Sequence, residues 1–246
     1  MAKKLVKVLW AGRMCYQSGV HLQNQLSKHH HDPDLPLDYP RHSLILIEHN
    51  PVYTVGIRNK GYTDEEILKL KATGAEFYKT NRGGLITFHG PGQLVVYPII
   101  NLRDFVPSMR WYVCQIERMI IRLCAEFGIK GETSPDTGVW VRDKKICAIG
   151  IHGSRYVTTH GLGFNCNTDL KWFDNIVPCG IEGKGVTSVS RELCAHVGID
   201  DVIPVMKNAF KEEFQCEIMD LDRGDVSVYL RSAVQHVKRS DVDGFV

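Results

Sequence analysis

Over much of its length this chain places apolar residues in short runs with the two-residue period of β-strands. The first run, KLVKVLW (4–10), alternates apolar and basic residues, as expected for a strand with one buried face. The pattern predicts strands at 4–10, 43–49, 52–57, 76–80, 85–90, 93–102, 138–143, 145–152 and 155–167. Segments 138–143 and 145–152 are predicted to form a hairpin around a tight Asp143-Lys144 turn, and Pro98 should lie near a strand end or a sheet edge.

Helices are predicted where a capping residue precedes apolar residues spaced three or four positions apart. These segments are 63–74, 108–128, 203–214 and the chain from 225 onward. Thr63 and Glu66 form a capping box, and Ser108 caps the helix with the strongest apolar spacing. Cys114 and Cys124 lie on that helix and are expected in the core.

Many strands combined with few, separated helices predict an α/β chain of the α+β type, with a mixed sheet flanked by helices. The sequence contains no internal repeat and no Gly/Ser-rich linker. We therefore expect a single main domain over 1–220, followed by a C-terminal helical tail over 221–246.

Composition narrows the classes of function. The 246 residues include 30 Lys+Arg and 28 Asp+Glu, a formal net charge of +2 that gives no reason to expect a nucleic-acid partner. No run of 18 apolar residues exists, so no membrane-spanning helix is predicted. The eight cysteines occur without a signal-peptide hydrophobic region, which favours free thiols in a reducing compartment.

The segment RGGLITFHGPGQ (82–93) is the most unusual stretch of the chain. Two glycines after Arg82 allow the backbone to approach a ligand closely, and Gly-Pro-Gly after His89 makes a rigid turn. Neither phosphate-binding pattern, GxxxxGK[ST] or GxGxxG, is present. A substrate-binding loop and a plain strand–turn–strand with a structural arginine both remain open.

Two further residues are candidates for chemistry. Lys145 opens a largely apolar strand, so its ammonium either reaches solvent or points into a pocket, where it would favour a nearby anion. Cys179 is predicted in a loop between Pro178 and Gly180. It is either a reactive thiol or a small buried apolar residue, and both interpretations stay open. The other cysteines lie in strands, helices or chain ends, and we expect structural roles for Cys15, Cys114, Cys124, Cys147, Cys166, Cys194 and Cys216.

Four segments together resemble a known family. RGGLITFHGPGQLVVYPI, KKICAIGIH, HGLGFNCNTDL and VPCGIEGKGVTSVS are similar, in order and spacing, to the signature segments of the lipoyl(octanoyl) transferases. The resemblance extends over about residues 5–218. It implies a fold similar to the biotin and lipoyl protein ligases, and it makes 1–220 the catalytic domain.

The family's activity implies the expected partners. Its enzymes move an octanoyl group from octanoyl-acyl carrier protein to a lysine of lipoyl domains or of the glycine-cleavage H protein, through a cysteine thioester. Exchange of one thioester for another is nearly isoenergetic, so the first half-reaction needs no ATP. No Cys/His spacing makes a zinc site, and no metal or other cofactor is expected. Both protein partners are acidic, so docking on local Lys and Arg patches is expected.

The family's functional positions map onto this sequence residue by residue. The nucleophile corresponds to Cys179 and the partner lysine to Lys145. The positions of the acyl pocket correspond to Arg82, Gly83, Gly84, Leu85, Ile86, Thr87, Phe88, His89, Ala148, Ile149, Gly150, Gly161, Leu162 and Gly163. His89 and His160 are candidates for orienting groups, although core histidines are equally expected. The family more often has GLALN where this chain has GLGFN (161–165), so pocket shape differs there.

Two alternatives of function stay open at this point. An ATP-dependent lipoate or biotin ligase would share the fold and the lysine but would need no nucleophilic cysteine. A non-catalytic protein that binds acyl chains or carriers would retain the fold without turnover.

The first acidic residue of the chain is Asp32, and the basic segment before it also resembles a mitochondrial presequence. A first strand explains the same residues. With the family found in mitochondria and in the bacterial cytosol, we expect a mitochondrial protein, or a cytoplasmic one if it is bacterial.

Overall fold

The computed structural model describes residues 4–36, 39–58, 61–176, 184–222, 224 and 226–233. Its strands are β1 (Lys4–Met14), β2 (His42–His49), β3 (Val52–Val55), β4 (Glu76–Lys79), β5 (Thr87–His89), β6 (Gln93–Ile99), β7 (Val139–Val141), β8 (Lys144–Ser154), β9 (Val157–Asn165), β10 (Gly185–Val186) and β11 (Cys216–Asp220). Its α-helices are α1 (Tyr16–Lys28), α2 (Asp64–Ala72), α3 (Met109–Glu126), α4 (Val189–Leu193) and α5 (Ile199–Phe214), and 226–233 is also helical.

Within the described residues the strands form two sheets. The larger is mixed, with the order β10-β8-β9-β6-β2-β1-β11 and β7 paired to β8. The smaller has the order β4-β3-β5. Strands β6, β8 and β9 pair antiparallel, whereas β1 is parallel to both β2 and β11. The predicted α/β class with a mixed sheet flanked by helices is confirmed. The second, three-stranded sheet was not predicted.

Strand β2 shows why its sequence is apolar without alternation. Leu44 and Leu46 pack in the core cluster that contains α3 and α5, while Ile45 and Ile47 pack in the cluster on the opposite face with α1. Burial on both faces removes the polar positions that a half-exposed strand keeps. The larger sheet is therefore covered by helices on both sides.

Two helix starts have the predicted caps. The Thr63 hydroxyl accepts from Glu66 N–H, and the Glu66 carboxylate accepts from Thr63 N–H at 2.8 Å. Ser108 Oγ accepts from Trp111 N–H at 3.2 Å. The expected core role of Cys124 on α3 is confirmed, but Cys114 is exposed, because its position falls on the solvent side of the helix.

Three boundary predictions are corrected. Helix α5 begins at Ile199 rather than 203, and Pro204 lies inside it. The β7–β8 turn is formed by Arg142 and Asp143, with Arg142 at a positive φ of 55°. The first strand, predicted over 4–10, extends to Met14.

Helix α1 was not predicted from the sequence, and its residues explain why. It has no acidic residue in its first turn and no capping side chain, and Gly19 lies in its interior. That glycine is required by packing, since a Cβ there would lie 2.7 Å from Cε1 of His49. Close approach of α1 to the sheet places Tyr16 at the candidate site.

The described part of the C-terminal tail packs against the larger sheet. Ala233 is fully buried in the cluster that contains α1, and Leu221, Val226, Tyr229 and Leu230 pack against that cluster. A boundary at residue 220 stays a prediction. Among the described residues, no helix is long and apolar enough to cross a membrane.

Candidate active site

Lys145 lies at the start of β8 with only 5 % of its surface exposed. Its Nζ donates to the Thr137 carbonyl at 3.1 Å and lies 4.6 Å from the centre of the Trp140 ring. Gly138 makes room for the lysine stem, because a Cβ there would lie 3.3 Å from Lys145 Cε. Of the two outcomes that the sequence left open, the ammonium is directed inward.

The chain returns to Lys145 immediately after the segment 177–183. Val186 of β10 is paired with Lys145, and Thr187 N–H donates to the Lys145 carbonyl at 3.0 Å. The Lys184 ammonium lies 4.7 Å from the centre of the Trp140 ring, against which Lys145 also lies. Cys179, the predicted nucleophile, lies outside the described residues.

Arg82 organises the glycine loop that faces this strand. Its guanidinium donates to the Thr54 carbonyl at 2.6 Å, and to the carbonyls of Gly83 and Leu85 at 2.9 Å each. Only 6 % of Arg82 is exposed. A planar guanidinium with several donors suits such a set of carbonyls, whereas a lysine could not satisfy them together.

A groove forms where the loop meets the edge of β8. Beyond Cys147, among the described residues, no strand pairs with β8 on the side of β7. Gly83 N–H instead donates to the Ile151 carbonyl at 2.9 Å. Since residue 150 is glycine, the loop can approach; a Cβ there would lie 3.0 Å from Gly83 O.

Two adjacent cavities follow this groove. The mouth cavity, about 230 Å³, is lined by Arg58, Gly83, Gly84, Leu85, Val113, Pro135, Asp136, Thr137, Lys145, Ile149, Gly150 and Ile151. The inner slot, about 40 Å³, is lined by Tyr16, Arg82, Gly84, Leu85, Thr87, His89, Tyr97, Ala148, Ile149, Gly150, His160, Gly161, Leu162 and Gly163. The two share Gly84, Leu85, Ile149 and Gly150. The groove therefore leads from Lys145 to His89 and His160.

Histidines around the slot are neutral at physiological pH. Burial lowers the pKa of His89 to about 3, with further lowering by His49 and Arg82. Burial lowers the pKa of His160 to about 4, with Arg82 again contributing, and lowers that of His49 to about 4. The slot thus offers hydrogen-bonding groups without added positive charge from its imidazoles.

Hydrogen bonds hold these rings in place. His89 Nδ1 lies 2.6 Å from Gln93 Oε1, and His49 Nε2 lies 2.8 Å from the Tyr97 hydroxyl. Since Gln93 Nε2 donates elsewhere, to Phe88 O, its Oε1 accepts from His89 Nδ1–H. His89 is therefore both a hydrogen-bonded core residue and part of the slot lining.

Several cysteines near the site are unsuited to nucleophilic attack. Burial raises the pKa of Cys147 well above its usual range, although Lys145 opposes the shift. Burial also raises the pKa values of Cys124 and Cys166 to about 12. These thiols remain protonated at neutral pH, as expected for structural cysteines, and the seven cysteines of the described residues are free.

Most of the predicted pocket residues line the two cavities. Ile86 and Phe88 do not, because alternation along β5 and the residues before it turns them into a separate core cluster with Tyr53 and Phe173. There the Phe88 ring stacks on that of Trp172, with ring centres 4.9 Å apart. Tyr16 and Tyr97 also line the slot, and sequence reasoning missed both. The period-two pattern of β6 could have indicated the face of Tyr97, but nothing local marked Tyr16.

This architecture is that of an α/β domain of the lipoate-ligase type. Lipoate-protein ligase A bound with ATP has a TM-score of 0.67 at 13 % identity, with 94 % of each chain covered. The bipartite lipoate protein ligase of Thermoplasma acidophilum has a TM-score of 0.65 at 14 % identity, covering 94 % of this chain and 92 % of that one. At these identities the likeness concerns the fold.

Sequence comparison defines the family. The lipoyl protein ligase A/B catalytic domain matches residues 16–211. The mitochondrial octanoyl-[acyl-carrier-protein]:protein N-octanoyltransferase of Danio rerio is 56 % identical over 218 residues, covering 89 % of this chain and 96 % of the relative. The human enzyme of that name is 43 % identical, covering 90 % and 99 %. The chain belongs to the lipoyl protein ligase A/B family, among its octanoyltransferases, and is an acyltransferase.

Proposed function

We propose that this chain transfers an octanoyl group from octanoyl-acyl carrier protein to the lysine of a lipoyl domain or of the glycine-cleavage H protein, through a thioester on Cys179. Its relatives are named for octanoyl transfer between the carrier protein and a protein. The observation that carries the proposal is the buried Lys145 ammonium at the mouth of a groove with neutral imidazoles.

In the first half-reaction the Cys179 thiolate attacks the octanoyl carbonyl carbon. A carbon–sulfur bond to Cys179 forms, the carbon–sulfur bond to the carrier breaks, and the carrier sulfur takes the proton that Cys179 gave up. An ordinary thiol is only a few per cent ionised at pH 7, so a nearby ammonium accelerates the step by favouring the thiolate. Lys145 supplies that ammonium.

Chain connectivity supports this pairing. Cys179 is five residues from Lys184, whose ammonium lies against the same Trp140 ring as that of Lys145. Five extended residues span at most roughly 17 Å. A segment of this length would allow Cys179 to reach the mouth cavity.

The second half-reaction moves the acyl group to nitrogen. The neutral acceptor amine attacks the thioester carbon and the bond to Cys179 breaks. The Lys145 ammonium gives a proton to the departing sulfur and takes one from the attacking nitrogen, so one proton moves in net from nitrogen to sulfur. Backbone N–H groups along the β8 edge at 148–150 are placed beside the groove and would stabilise the developing oxyanion. No bond in either half requires ATP.

Intact-mass spectrometry tests the acyl-enzyme directly. After mixing with octanoyl-carrier protein and no ATP, the chain should gain one octanoyl group, and Cys179→Ser should lose this gain while Cys114→Ser keeps it. Transfer to a lipoyl domain would then complete turnover. If instead no adduct forms, and a lipoyl domain is modified only with free octanoate and ATP, the ligase alternative replaces this proposal.

The role of Lys145 has a separate test. Lys145→Ala should move the pH profile of Cys179 alkylation by iodoacetamide to higher pH, because the thiolate loses its neighbouring cation. Lys144→Ala is the matched control, since Lys144 is adjacent in sequence but does not line the mouth cavity. An identical profile in Lys145→Ala would refute the pairing.

The names of the relatives indicate a mitochondrial location for this chain. Those of Danio rerio and Homo sapiens are named mitochondrial, in agreement with the compartment expected from the sequence. Residues 4–14 form β1, so the basic segment contributes to the sheet. Imaging the full chain fused to a fluorescent reporter would show whether it reaches mitochondria.

A further inference from the structure

A third cavity lies behind the inner slot. This outer cavity, about 510 Å³, is lined by Tyr16, Gln17, Val20, His21, Asn24, Tyr78, Lys79, Thr80, Asn81 and His160. It shares Tyr16 and His160 with the inner slot. These two residues line both spaces and therefore lie between them.

Both residues are firmly held. His160 adopts a left-handed φ of 55°; its N–H donates to Gln23 Oε1 at 2.6 Å, and its Nε2 lies 2.8 Å from Asn81 Oδ1. Tyr16 is 3 % exposed and packs between His49 and Tyr78, with ring centres 5.4 and 5.3 Å away. A positive φ is uncommon for residues other than glycine, and the hydrogen bonds to Gln23 and Asn81 hold His160 in this conformation.

The other walls of the slot leave little room for extension. A Cβ at Gly163 would lie 2.7 Å from Gln93 Oε1. A Cβ at Gly161 would collide with the Val96 carbonyl. The Gln93 side chain and the Val96 backbone therefore lie close against these glycines, while the side chains of Tyr16 and His160 lie toward the outer cavity.

We propose that Tyr16 and His160 form the end wall of the acyl groove and set the length of the acyl chain that the enzyme accepts. The proposal rests on the proposed octanoyl transfer. The outer cavity is then a latent extension of the groove, able to take the tail of a longer acyl chain once the wall is removed. Its lining combines the Tyr78 ring and Val20 with polar groups.

The test compares acyl carriers of different chain length. Octanoyl- and dodecanoyl-carrier protein compete for the enzyme, and mass spectrometry measures the ratio of the two acyl-enzymes. In Tyr16→Ala the dodecanoyl/octanoyl ratio should rise at least about tenfold, since each additional buried methylene is worth roughly a fourfold preference. Tyr16→Phe keeps the ring and should keep the original ratio.

Two further variants make the result specific. His160→Asn tolerates the left-handed backbone, shortens the other half of the wall, and should raise the ratio even if Tyr16→Ala does not fold. Adding Val20→Trp to Tyr16→Ala fills the outer cavity and should restore the octanoyl preference.

The possible results distinguish a failure of the end-wall proposal from a failure of the proposed octanoyl transfer. An unmodified chain that forms no octanoyl adduct refutes the proposed function. An unmodified chain that acylates normally, with both Tyr16→Ala and His160→Asn at the original ratio, refutes the end wall alone.

Discussion

Acidification should destabilise this protein through its buried histidines. His49, His89 and His160 have pKa values lowered from 6.5 to about 4, 3 and 4, because burial penalises the imidazolium. The unfolded chain therefore binds more protons than the folded one below pH 6.5. Stability is fully present above that pH and falls as the pH drops toward the folded-state values.

The size of the effect follows from linkage. For a histidine with a pKa of 6.5 unfolded and about 4 folded, lowering the pH from 8 to 5 costs about 2 kcal/mol. Over the same pH change, three such histidines together lower the free energy of unfolding by about 6 kcal/mol, which is comparable to the whole stability of many domains. His30 and His42, whose pKa values are also lowered to about 4, add to this loss. We expect cooperative unfolding near pH 5.

Urea unfolding followed by tryptophan fluorescence at pH 8, 7, 6 and 5 measures the loss. Between pH 8 and pH 5 the free energy of unfolding of His49→Gln should fall by about 2 kcal/mol less than that of the unmodified chain. This comparison holds whatever the stability of the variant at pH 8. His196→Gln changes an exposed histidine and serves as the control. Equal unfolding free energies at pH 8 and pH 5, or an unchanged loss in His49→Gln, would refute the reasoning.

Three further substitutions test packing and capping. Thr63→Ala removes the hydroxyl of the capping box with Glu66 and should cost about 1 kcal/mol in urea unfolding, a loss that Thr63→Ser should largely avoid. Phe210→Ala should cost about 3–5 kcal/mol by the same measurement, because Phe210 is fully buried between α3 and α5; a cost below 1 kcal/mol would contradict this packing. Gly163→Ala places a methyl 2.7 Å from Gln93 Oε1 and should slow octanoylation at least about tenfold by mass spectrometry while the chain stays folded by circular dichroism; an unchanged rate would show that the slot is not used.

The sequence was most informative where local rules decide the outcome. The capping box at Thr63 and the cap at Ser108 depend on residues three positions apart, so both helix starts were predictable. Helix α1 was not, because its stability comes from contacts with the sheet rather than from caps. Cys114 was misplaced because a cysteine was expected to be buried from its residue type, although it is not among the buried residues of α3 and is exposed.

The candidate site also combines features that the local sequence predicts with features that depend on tertiary contacts. The glycines and His89 of 82–93 left a binding loop and a plain strand–turn–strand both open, because the direction of the Arg82 guanidinium depends on carbonyls that only the fold assembles. Sequence could not choose between a solvated and a buried Lys145. The choice is made by the Thr137 carbonyl and the Trp140 ring, which the β7–β8 hairpin and the loop before it place around the ammonium.

Charge is distributed along the groove in a way that suits acyl transfer. The cation that would stabilise a thiolate lies at the mouth with Lys145, while the imidazoles of His89 and His160 deeper in the slot are neutral. An apolar acyl chain lying against these rings meets imidazoles that are already hydrogen-bonded to Gln93 and Asn81, and no imidazolium loses its solvation. Protonating either ring would put a charge against the chain, so the burial that lowers these pKa values also keeps the slot compatible with an acyl group at neutral pH.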